Sequence, residues 1–159
     1  DRASAREPLS ALVYQRRYAV AREQHAVERV RQLFARALAY PLPAGPPDYG
    51  LRFSHARDAG RRRLVLLHGT TWPSKHWPES YWAGLARLAA DAGLEAVLPW
   101  GDPDDRLRAE RIISAAGGGR LLPRQSLTDL ARMLATASGV VGVDSGLAHL
   151  AAARHRSRE

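Results

Sequence analysis

The 159-residue chain contains no cysteine and a single lysine, Lys75. The lack of cysteine excludes a disulfide scaffold and any cysteine-based zinc or redox site. Long apolar runs are also missing: the longest, such as LVLL and ASGVVGV, are far shorter than the ~20 residues that a membrane-spanning helix needs. The opening DRASAREP has no apolar segment of a signal peptide. We therefore expect a cytoplasmic protein, and the start without Met predicts a fragment or a processed chain.

Positive charge is abundant but unevenly distributed. The net charge is +8, and 23 of the 24 basic residues are arginine. Residues 1–63 hold 13 Arg against 6 acidic residues, whereas residues 64–153 hold 8 basic against 9 acidic residues. This basic front, residues 1–63, can bind nucleic acid, an anionic membrane surface or an acidic ligand. Alternatively, its arginine-rich helices are simply exposed to solvent. Charge alone leaves these alternatives open.

The hydrophobic pattern predicts an α/β fold. Residues 11–39 have helical spacing of their apolar side chains and predict one helix or two. Strands are then predicted at 64–68, 94–98, 120–122 and 139–143, alternating with helices at 79–92, 103–116, 127–137 and from Ser145 onward. Such alternation is typical of βαβ units, and so of a parallel sheet with helices on both faces. The predicted organisation is a helical segment at 1–40, a linker at 41–63, an α/β domain at 64–153 and an atypical polar tail at 154–159.

Ligands of such sheets bind beyond the carboxyl ends of the strands, so the loops after the strands are the places to look for a site. The loop after the first strand reads HGTTWPSKHWP. Gly69 allows close approach to the backbone, Thr70 and Thr71 offer hydroxyl groups, and Lys75 offers a compact cation. These groups suit a phosphate or pyrophosphate. The alternative is a polar turn with a surface lysine, but a single lysine kept among so many arginines favours function.

The loop after the fourth strand, within GVVGVDSGLAHLAAA, opens directly into an apolar helix. Free amides of Ser145, Gly146 and Leu147 would form an anion site at the positive end of that helix. Asp144 or Ser145 could equally be an ordinary N-cap, and the two roles are compatible. His149, one turn into the helix, is either a packed histidine or a ligand contact.

The loop after the second strand contains an acidic cluster, Asp102, Asp104 and Asp105, at a helix start. Acidic residues are favoured there by the helix dipole alone, although a carboxylate could also hold ribose hydroxyls. The sequence has no GxGxxG and no Walker A motif, which argues against NAD-dependent enzymes and P-loop NTPases. No His, Asp or Glu cluster has metal-ligand spacing, so we expect no metal.

Taken together, these segments resemble glycosyltransferase family nine, and in particular its heptosyltransferase I branch, whose members have the GT-B fold. Residues 4–40, from SAREPLSALVYQ to FARALAY, resemble the helical end of the family's N-terminal domain. The segments HGTTWPSKHWPESYW, LPWGDPDD, LLPRQSL and VDSGLAHLAAA resemble successive loops of its C-terminal, Rossmann-like donor-binding domain. The resemblance covers residues 4–153.

The resemblance implies roles for individual residues. The positions that match contacts with the donor phosphates are Thr70, Thr71 and Lys75. The loop that matches contacts with the pyrophosphate and the sugar consists of Asp144, Ser145, Gly146 and Leu147. His149 belongs to the same donor-binding set. Asp105 stands in place of a glutamate that holds the ribose. Gln125 stands where some relatives have Met beside the adenine, which implies a backbone contact. Arg6 matches basic groups that face the acidic acceptor. Gly69 replaces an alanine, which we expect to be a mild change.

The resemblance also implies an activity. The family transfers L-glycero-D-manno-heptose from ADP-heptose to the Kdo sugar of the lipid A inner core in lipopolysaccharide biosynthesis, with inversion and with no required cofactor. Lys75 and the amides of residues 145–147 would stabilise the leaving ADP. The catalytic base belongs to a preceding half of the enzyme, so we expect a fragment that is inactive alone, and the tail RHRSRE departs from the family pattern. The implied location is cytoplasmic, peripheral to the inner membrane.

Two alternatives remain. Heptosyltransferase II uses the same donor as heptosyltransferase I but a different acceptor. The segments SARE and QHAVER near the N-terminus favour heptosyltransferase I. The alternative from another class is a nucleic-acid-binding module that uses the arginine-rich front. Tyr14, Tyr18 and Phe34 are spaced like core residues and no RNA-binding motif is present, which argues against that module.

Overall fold

Residues 8–51 and 62–155 are those that the computed structural model describes. The chain divides into two compact units, Asp1–Pro47 and Asp48–Glu159. The first contains a short 3-10 helix, Pro8–Val13, and helix α1, Ala26–Leu38. The prediction of helix across residues 11–39 is therefore wrong for residues 14–25. The periodic apolar residues on which it rested begin only at Val27, and the preceding stretch offers no apolar stripe that would stabilise a helix.

Helix α1 leaves most of its apolar side chains exposed within the described residues. Ala35 is buried, whereas Val30, Phe34 and Leu38 are more than half exposed. Tyr14 is also 57% exposed. The interpretation of Tyr14 and Phe34 as core residues is therefore wrong for this chain.

The second unit is built on a parallel sheet. Its strands are β1, Arg63–Leu67; β2, Glu95–Leu98; β3, Arg120–Leu121; and β4, Gly139–Gly142. They pair in the order β3-β2-β1-β4, and every pairing is parallel. This arrangement confirms the α/β fold class. The central strand β1 has β2 on one side and β4 on the other.

Helices connect the strands close to the predicted bounds. They are α2, Glu79–Asp91; α3, Pro103–Ala116; α4, Leu127–Thr136; and α5, Gly146–His155. Local sequence explains two of the starts: the Asp102 carboxylate accepts from the Asp105 amide at 2.8 Å, and the Ser126 hydroxyl accepts from the Asp129 amide at 3.1 Å. Pro103 then occupies the first helical position of α3, where its fixed φ and missing N–H are tolerated. Within the described ranges, no helix has the length and apolar character needed to cross a membrane.

The core has two halves, one on each face of the sheet. Successive residues of β1 alternate, so that Leu66 faces one side and Val65 and Leu67 face the other. On the first face Leu66 packs with Trp82 of α2 and Ile112 of α3; on the second, the β1 residues pack with Leu134 of α4 and Ala151 of α5. Helices therefore cover both faces, as the alternating pattern predicted.

Two predicted segments fall partly outside the described residues. Residues 41–51 of the linker contain neither helix nor strand, and residues 52–61 are not described. Of the tail at 154–159, helix α5 includes the first two residues, and residues 156–159 are not described. The predicted boundaries of the linker and tail stay predictions.

Replacing Ile112 by alanine tests the core on the α2–α3 face. Ile112 is fully buried, so Ile112→Ala should lower the free energy of unfolding by about 2–5 kcal/mol. Leu107 lies on the same helix but is 52% exposed, so Leu107→Ala should change the free energy of unfolding by less than about 0.5 kcal/mol. Urea unfolding measures both variants. Equal losses would contradict this assignment of the core.

Candidate functional site

The strand order creates a crevice beside β1. The chain runs from β1 through β2 to β3 in one direction, then returns to place β4 on the opposite side of β1. Connections therefore diverge from the carboxyl ends of β1 and β4, which is where open α/β sheets bind ligands. The register pairs Leu67 with Gly142, and the Val143 amide donates to the Leu67 carbonyl at 3.3 Å. The loops after β1 and β4 thus start side by side.

These loops and the start of α3 surround a cleft of about 1140 Å³. Nine residues of the predicted donor set line it: Thr70, Thr71, Lys75, Asp105, Asp144, Ser145, Gly146, Leu147 and His149. Gln125 is half-buried and is not among the lining residues. Arg6 lies outside the described residues, so its role at the acceptor stays a prediction.

The most direct contact across the cleft joins Lys75 to Asp144. A 3-10 turn, Pro73–Lys75, places the Lys75 ammonium 2.5 Å from the Asp144 carboxylate, although the residues are 69 apart in sequence. The second carboxylate oxygen lies 3.1 Å from Nε2 of His149. Hydrogen bonding to Lys75 lowers the pKa of Asp144 below its usual value. The Lys75 cation is therefore held at the mouth of the crevice beside the Asp144 carboxylate.

His149 is not a packed histidine. Its side chain is 78% exposed and lines the cleft on the first turns of α5. Its partner in the described structure is Asp144. Of the two interpretations of His149, the one as a core residue is wrong.

The N-terminus of α5 faces the same cleft. The Ser145 hydroxyl accepts from the Ala148 amide at 3.4 Å, so Ser145 is the N-cap, whereas the Asp144 carboxylate is engaged by Lys75. One of the first amides of the helix is satisfied in this way, and those of Gly146 and Leu147 precede the first intrahelical bond. These amides and the helix dipole favour an anion. Lys75 and the start of α5 therefore supply positive potential from both sides of the crevice.

Asp105 lies against the backbone of Gly69. It is half-buried in the first turn of α3, and one carboxylate oxygen accepts from the Gly101 amide at 3.4 Å. A Cβ built on Gly69 would lie 2.7 Å from one carboxylate oxygen and 2.8 Å from the other. The space beside Gly69 that we expected a ligand to use is thus filled by Asp105. A Cβ there would meet only the end of the flexible Asp105 side chain, so the expectation that glycine in place of alanine is a mild change stays a prediction.

Sequence reasoning missed two cations of the lining, Arg108 and Arg111. Arg108 donates to the Trp77 carbonyl at 2.7 Å, and Arg111 forms a bidentate pair with Glu79 at 2.8 and 3.0 Å. The hydrogen bonds from Arg111 lower the pKa of Glu79. The available signal was their three-residue spacing, which places both on one face of α3. Their present partners tie α3 to the start of α2.

His68 lies directly beneath the cleft, at the end of β1. It is fully buried, and neither ring nitrogen has a hydrogen-bond partner of ordinary geometry among the described residues. Burial lowers the pKa of His68, an effect that the nearby Asp105 carboxylate opposes and that Arg108 and His76 reinforce. His68 is therefore a neutral residue under the site at neutral pH.

Residues 8–51 and 62–155 contain no group of three His, Asp or Glu side chains arranged to hold a metal ion. The positive groups of the cleft are the Lys75 ammonium, the α3 arginines and the α5 amides. That the donor needs no metal stays a prediction.

A polar cleft at the switch point of a parallel sheet, with a lysine opposite a helix N-terminus, is typical of nucleotide-binding domains. The chain belongs to glycosyltransferase family 9 (heptosyltransferase), whose model matches residues 1–157.

Similar proteins agree with this assignment. The chain is 53% identical to lipopolysaccharide heptosyltransferase 1 of Pseudomonas aeruginosa, over 96% of this chain and 44% of that protein. It is 45% identical to lipopolysaccharide heptosyltransferase 1 of Escherichia coli K12, over 98% of this chain and 50% of that protein. The chain thus spans about half the length of these curated relatives.

Solved structures of Escherichia coli proteins share the fold. Heptosyltransferase WaaC with ADP-2-deoxy-2-fluoro heptose superposes with a TM-score of 0.83 at 44% identity, covering 98% of this chain and 50% of that one. ADP-heptose lps heptosyltransferase II gives a TM-score of 0.54 at 20% identity, covering 95% of this chain and 41% of that one. The latter similarity concerns the fold alone.

The buried His68 predicts a pH-dependent stability. Because its pKa is lower in the folded chain, acidification protonates the unfolded chain first, and stability is lost as the pH falls below the unfolded value of about 6.5. In thermal melts, the fall in Tm from about pH 7.5 to about pH 5.5 should be smaller for His68→Gln than for the unchanged chain.

The matched control is His25→Gln, since His25 is exposed and lies on the first unit. The His25→Gln variant should not change how the melting temperature of the second unit depends on pH. An unchanged pH dependence in His68→Gln would mean that His68 does not control the acid sensitivity.

Proposed function

We propose that the cleft binds ADP-heptose and that the protein containing this chain is a heptosyltransferase of the lipopolysaccharide inner core. It would transfer L-glycero-D-manno-heptose from ADP-heptose to the Kdo sugar on lipid A. The observation that carries the proposal is the placement of Lys75 opposite the N-terminus of α5 at the switch point of the sheet. Two positive groups face each other there across a cleft large enough for a nucleotide sugar.

The chemistry proposed for this half is stabilisation of the leaving group. In an inverting transfer the Kdo hydroxyl attacks the anomeric carbon, the bond to the diphosphate breaks, and ADP departs with the electron pair. Negative charge then grows on the terminal phosphate. The Lys75 ammonium and the amides of Gly146 and Leu147 are preorganised to stabilise that charge. The base that accepts the hydroxyl proton is proposed to lie outside this chain.

Binding of the diphosphate is proposed to involve an exchange of partners at Lys75. Lys75 is paired with Asp144 in the described structure. A phosphate oxygen entering the cleft would compete with the Asp144 carboxylate for the ammonium. Once released, Asp144 is positioned beside the α5 N-terminus, where it could accept hydrogen bonds from hydroxyls of the donor sugar. The pair would therefore hold the lysine at the phosphate end of the cleft.

The nucleoside end of the cleft is proposed to be formed by α3 and α4. Asp105 lines the cleft with a carboxylate that could hold the ribose hydroxyls. Gln125 is not part of the lining, and neither are the residues before it in its loop, so the backbone contact with adenine expected at Gln125 stays a prediction. Leu127 and Leu150 do line the cleft and offer apolar surface for the base.

Comparison with relatives favours heptosyltransferase I over II. The curated relatives at 45–53% identity are named lipopolysaccharide heptosyltransferase 1, whereas heptosyltransferase II is 20% identical. The family match also includes the arginine-rich front. We therefore assign that basic front to the anionic acceptor at the inner membrane face rather than to nucleic acid, with the protein acting from the cytoplasm.

Replacing Lys75 tests the proposed donor site. In calorimetric titrations of the chain, ADP and ADP-heptose should bind about tenfold or more weakly to Lys75→Ala, because a charge-assisted hydrogen bond to phosphate is lost. Lys75 is 41% exposed, so the melting temperature should change little.

Arg132→Ala is the matched control. Arg132 also forms one ion pair with a carboxylate, Asp129, but lies on α4 away from the cleft lining. This variant should bind both ligands like the unchanged chain. Equal affinity of the Lys75→Ala variant and the unchanged chain would contradict the proposed site.

A further inference from the structure

We infer that Trp72 is a specificity-determining residue whose indole face contacts the sugar ring of the donor. Trp72 belongs to the loop after β1 and lines the cleft directly before the 3-10 turn Pro73–Lys75. The inference rests on the proposed function for its ligand, and on the exposure and placement of the indole for its geometry. Lys75 would hold the diphosphate, and Trp72 would recognise the group that the diphosphate carries.

Trp72 differs from the other three tryptophans of the chain. Trp77 and Trp82 meet edge to face with ring centroids 5.0 Å apart, and Trp100 donates from Nε1 to a backbone carbonyl at 2.6 Å. The Trp72 side chain is 65% exposed, and in the described part of the chain it has no ring contact and no hydrogen bond. A large aromatic side chain that lines a cleft in this way is suited to contact a ligand.

The backbone of Trp72 is held in place by its own loop. Its amide donates to the Thr70 hydroxyl at 3.5 Å, and its carbonyl accepts from the Lys75 amide at 2.9 Å. Pro73 follows directly and favours an extended backbone at Trp72, in agreement with a φ of −102° and a ψ of 116°. A ligand therefore has to order only the two side-chain torsions of the indole, which keeps the entropic cost of the contact small.

The sugar is the part of the donor that suits this position. The face of an aromatic ring is electronegative, so it does not attract a phosphate, whereas the weakly positive C–H groups on the face of a pyranose pack well against it. The apolar side chains proposed for the base, Leu127 and Leu150, belong to α4 and α5 and not to this loop.

The partner of Lys75 also places the turn at the sugar end of the diphosphate. Lys75 is paired with Asp144, the carboxylate proposed to accept from the sugar hydroxyls. Trp72 lies one turn from Lys75, since the Trp72 carbonyl accepts from the Lys75 amide. An indole face together with a carboxylate would offer a pyranose both kinds of contact that it needs, one for its C–H face and one for its hydroxyls.

Calorimetric titration of the 159-residue chain with ADP and with ADP-heptose separates the sugar from the nucleotide. Trp72→Ala should bind ADP-heptose about three- to tenfold more weakly than the unchanged chain, because the aromatic contact is lost. The same variant should bind ADP with unchanged affinity. Trp72→Phe keeps an aromatic face, so its affinity for ADP-heptose should fall by less than about threefold.

Tyr81→Ala is the matched control. Tyr81 is aromatic and 58% exposed, but it lies on α2 away from the cleft lining. This variant should bind both ligands like the unchanged chain. Because Trp72 is mostly exposed, Trp72→Ala should also keep the melting temperature of the unchanged chain, which thermal melts check.

Acrylamide quenching of tryptophan fluorescence reads the contact itself. Trp72 is the most exposed of the four tryptophans, so a ligand that covers it should reduce the quenching. Saturating ADP-heptose should protect the unchanged chain from acrylamide, and ADP should not. In Trp72→Phe neither ligand should change the quenching. Equal quenching of the unchanged chain with and without ADP-heptose would place the sugar away from Trp72 and overturn the inference.

The outcomes separate the inference from the proposed function. Equal affinity of Trp72→Ala and the unchanged chain for ADP-heptose would overturn the sugar contact and leave the donor site as proposed. Equal losses for ADP and ADP-heptose in Trp72→Ala would overturn it too, since the indole would then act on the nucleotide or on the loop. Failure of the unchanged chain to bind either ligand would overturn the proposed function, and the inference with it.

Discussion

The parallel pairing of β1 with β4 is the constraint on which the site depends. The two strands are separated by the whole of β2, β3 and three helices, yet the register places Leu67 opposite Gly142. Both strands end at the same level, and their loops begin as neighbours. Without that pairing, Lys75 and Asp144 would not meet, and the N-terminus of α5 would not face the loop after β1. The hydrophobic residues of β1 hold the arrangement, since Val65, Leu66 and Leu67 are buried on the two faces of the sheet.

The positive groups at the mouth of the crevice then favour an anionic ligand. The second part of the chain is close to neutral, with 8 basic and 9 acidic residues at 64–153. The cleft lining carries both signs, with the cations Lys75, Arg108 and Arg111 and four Asp carboxylates, so a preference for an anion depends on where the individual positive groups lie. Lys75 is held in place by its acidic partner Asp144, and the amides of α5 are fixed by the helix itself. Preorganised groups of this kind stabilise growing charge without reorganisation during the reaction.

Local chemistry made much of this fold predictable. Asp102 with Pro103 and Ser126 mark helix starts that the structure reproduces, and the alternation of strands and helices predicts both faces of the sheet. The placement of Lys75 and of residues 144–147 at one cleft was also predictable, because glycine, hydroxyl and lysine residues follow strand ends. Contacts between residues far apart in the sequence were not predictable. The Lys75–Asp144 pair spans 69 residues, the Asp105 carboxylate fills the space beside Gly69, and no local pattern indicates that Gln125 lies outside the cleft lining. Helix was overpredicted at residues 14–25, where arginines separate the few apolar side chains.

Mapping the ADP contact on the chain tests the central claim most directly. Backbone amide NMR shifts followed during titration with ADP report which loops sense the ligand. We expect the largest shifts on the loop after β1, from Gly69 to Lys75, and on residues 144–147, at the two sides of the crevice. Changes confined to α1 and the arginine-rich front, with the two loops unaffected, would contradict it.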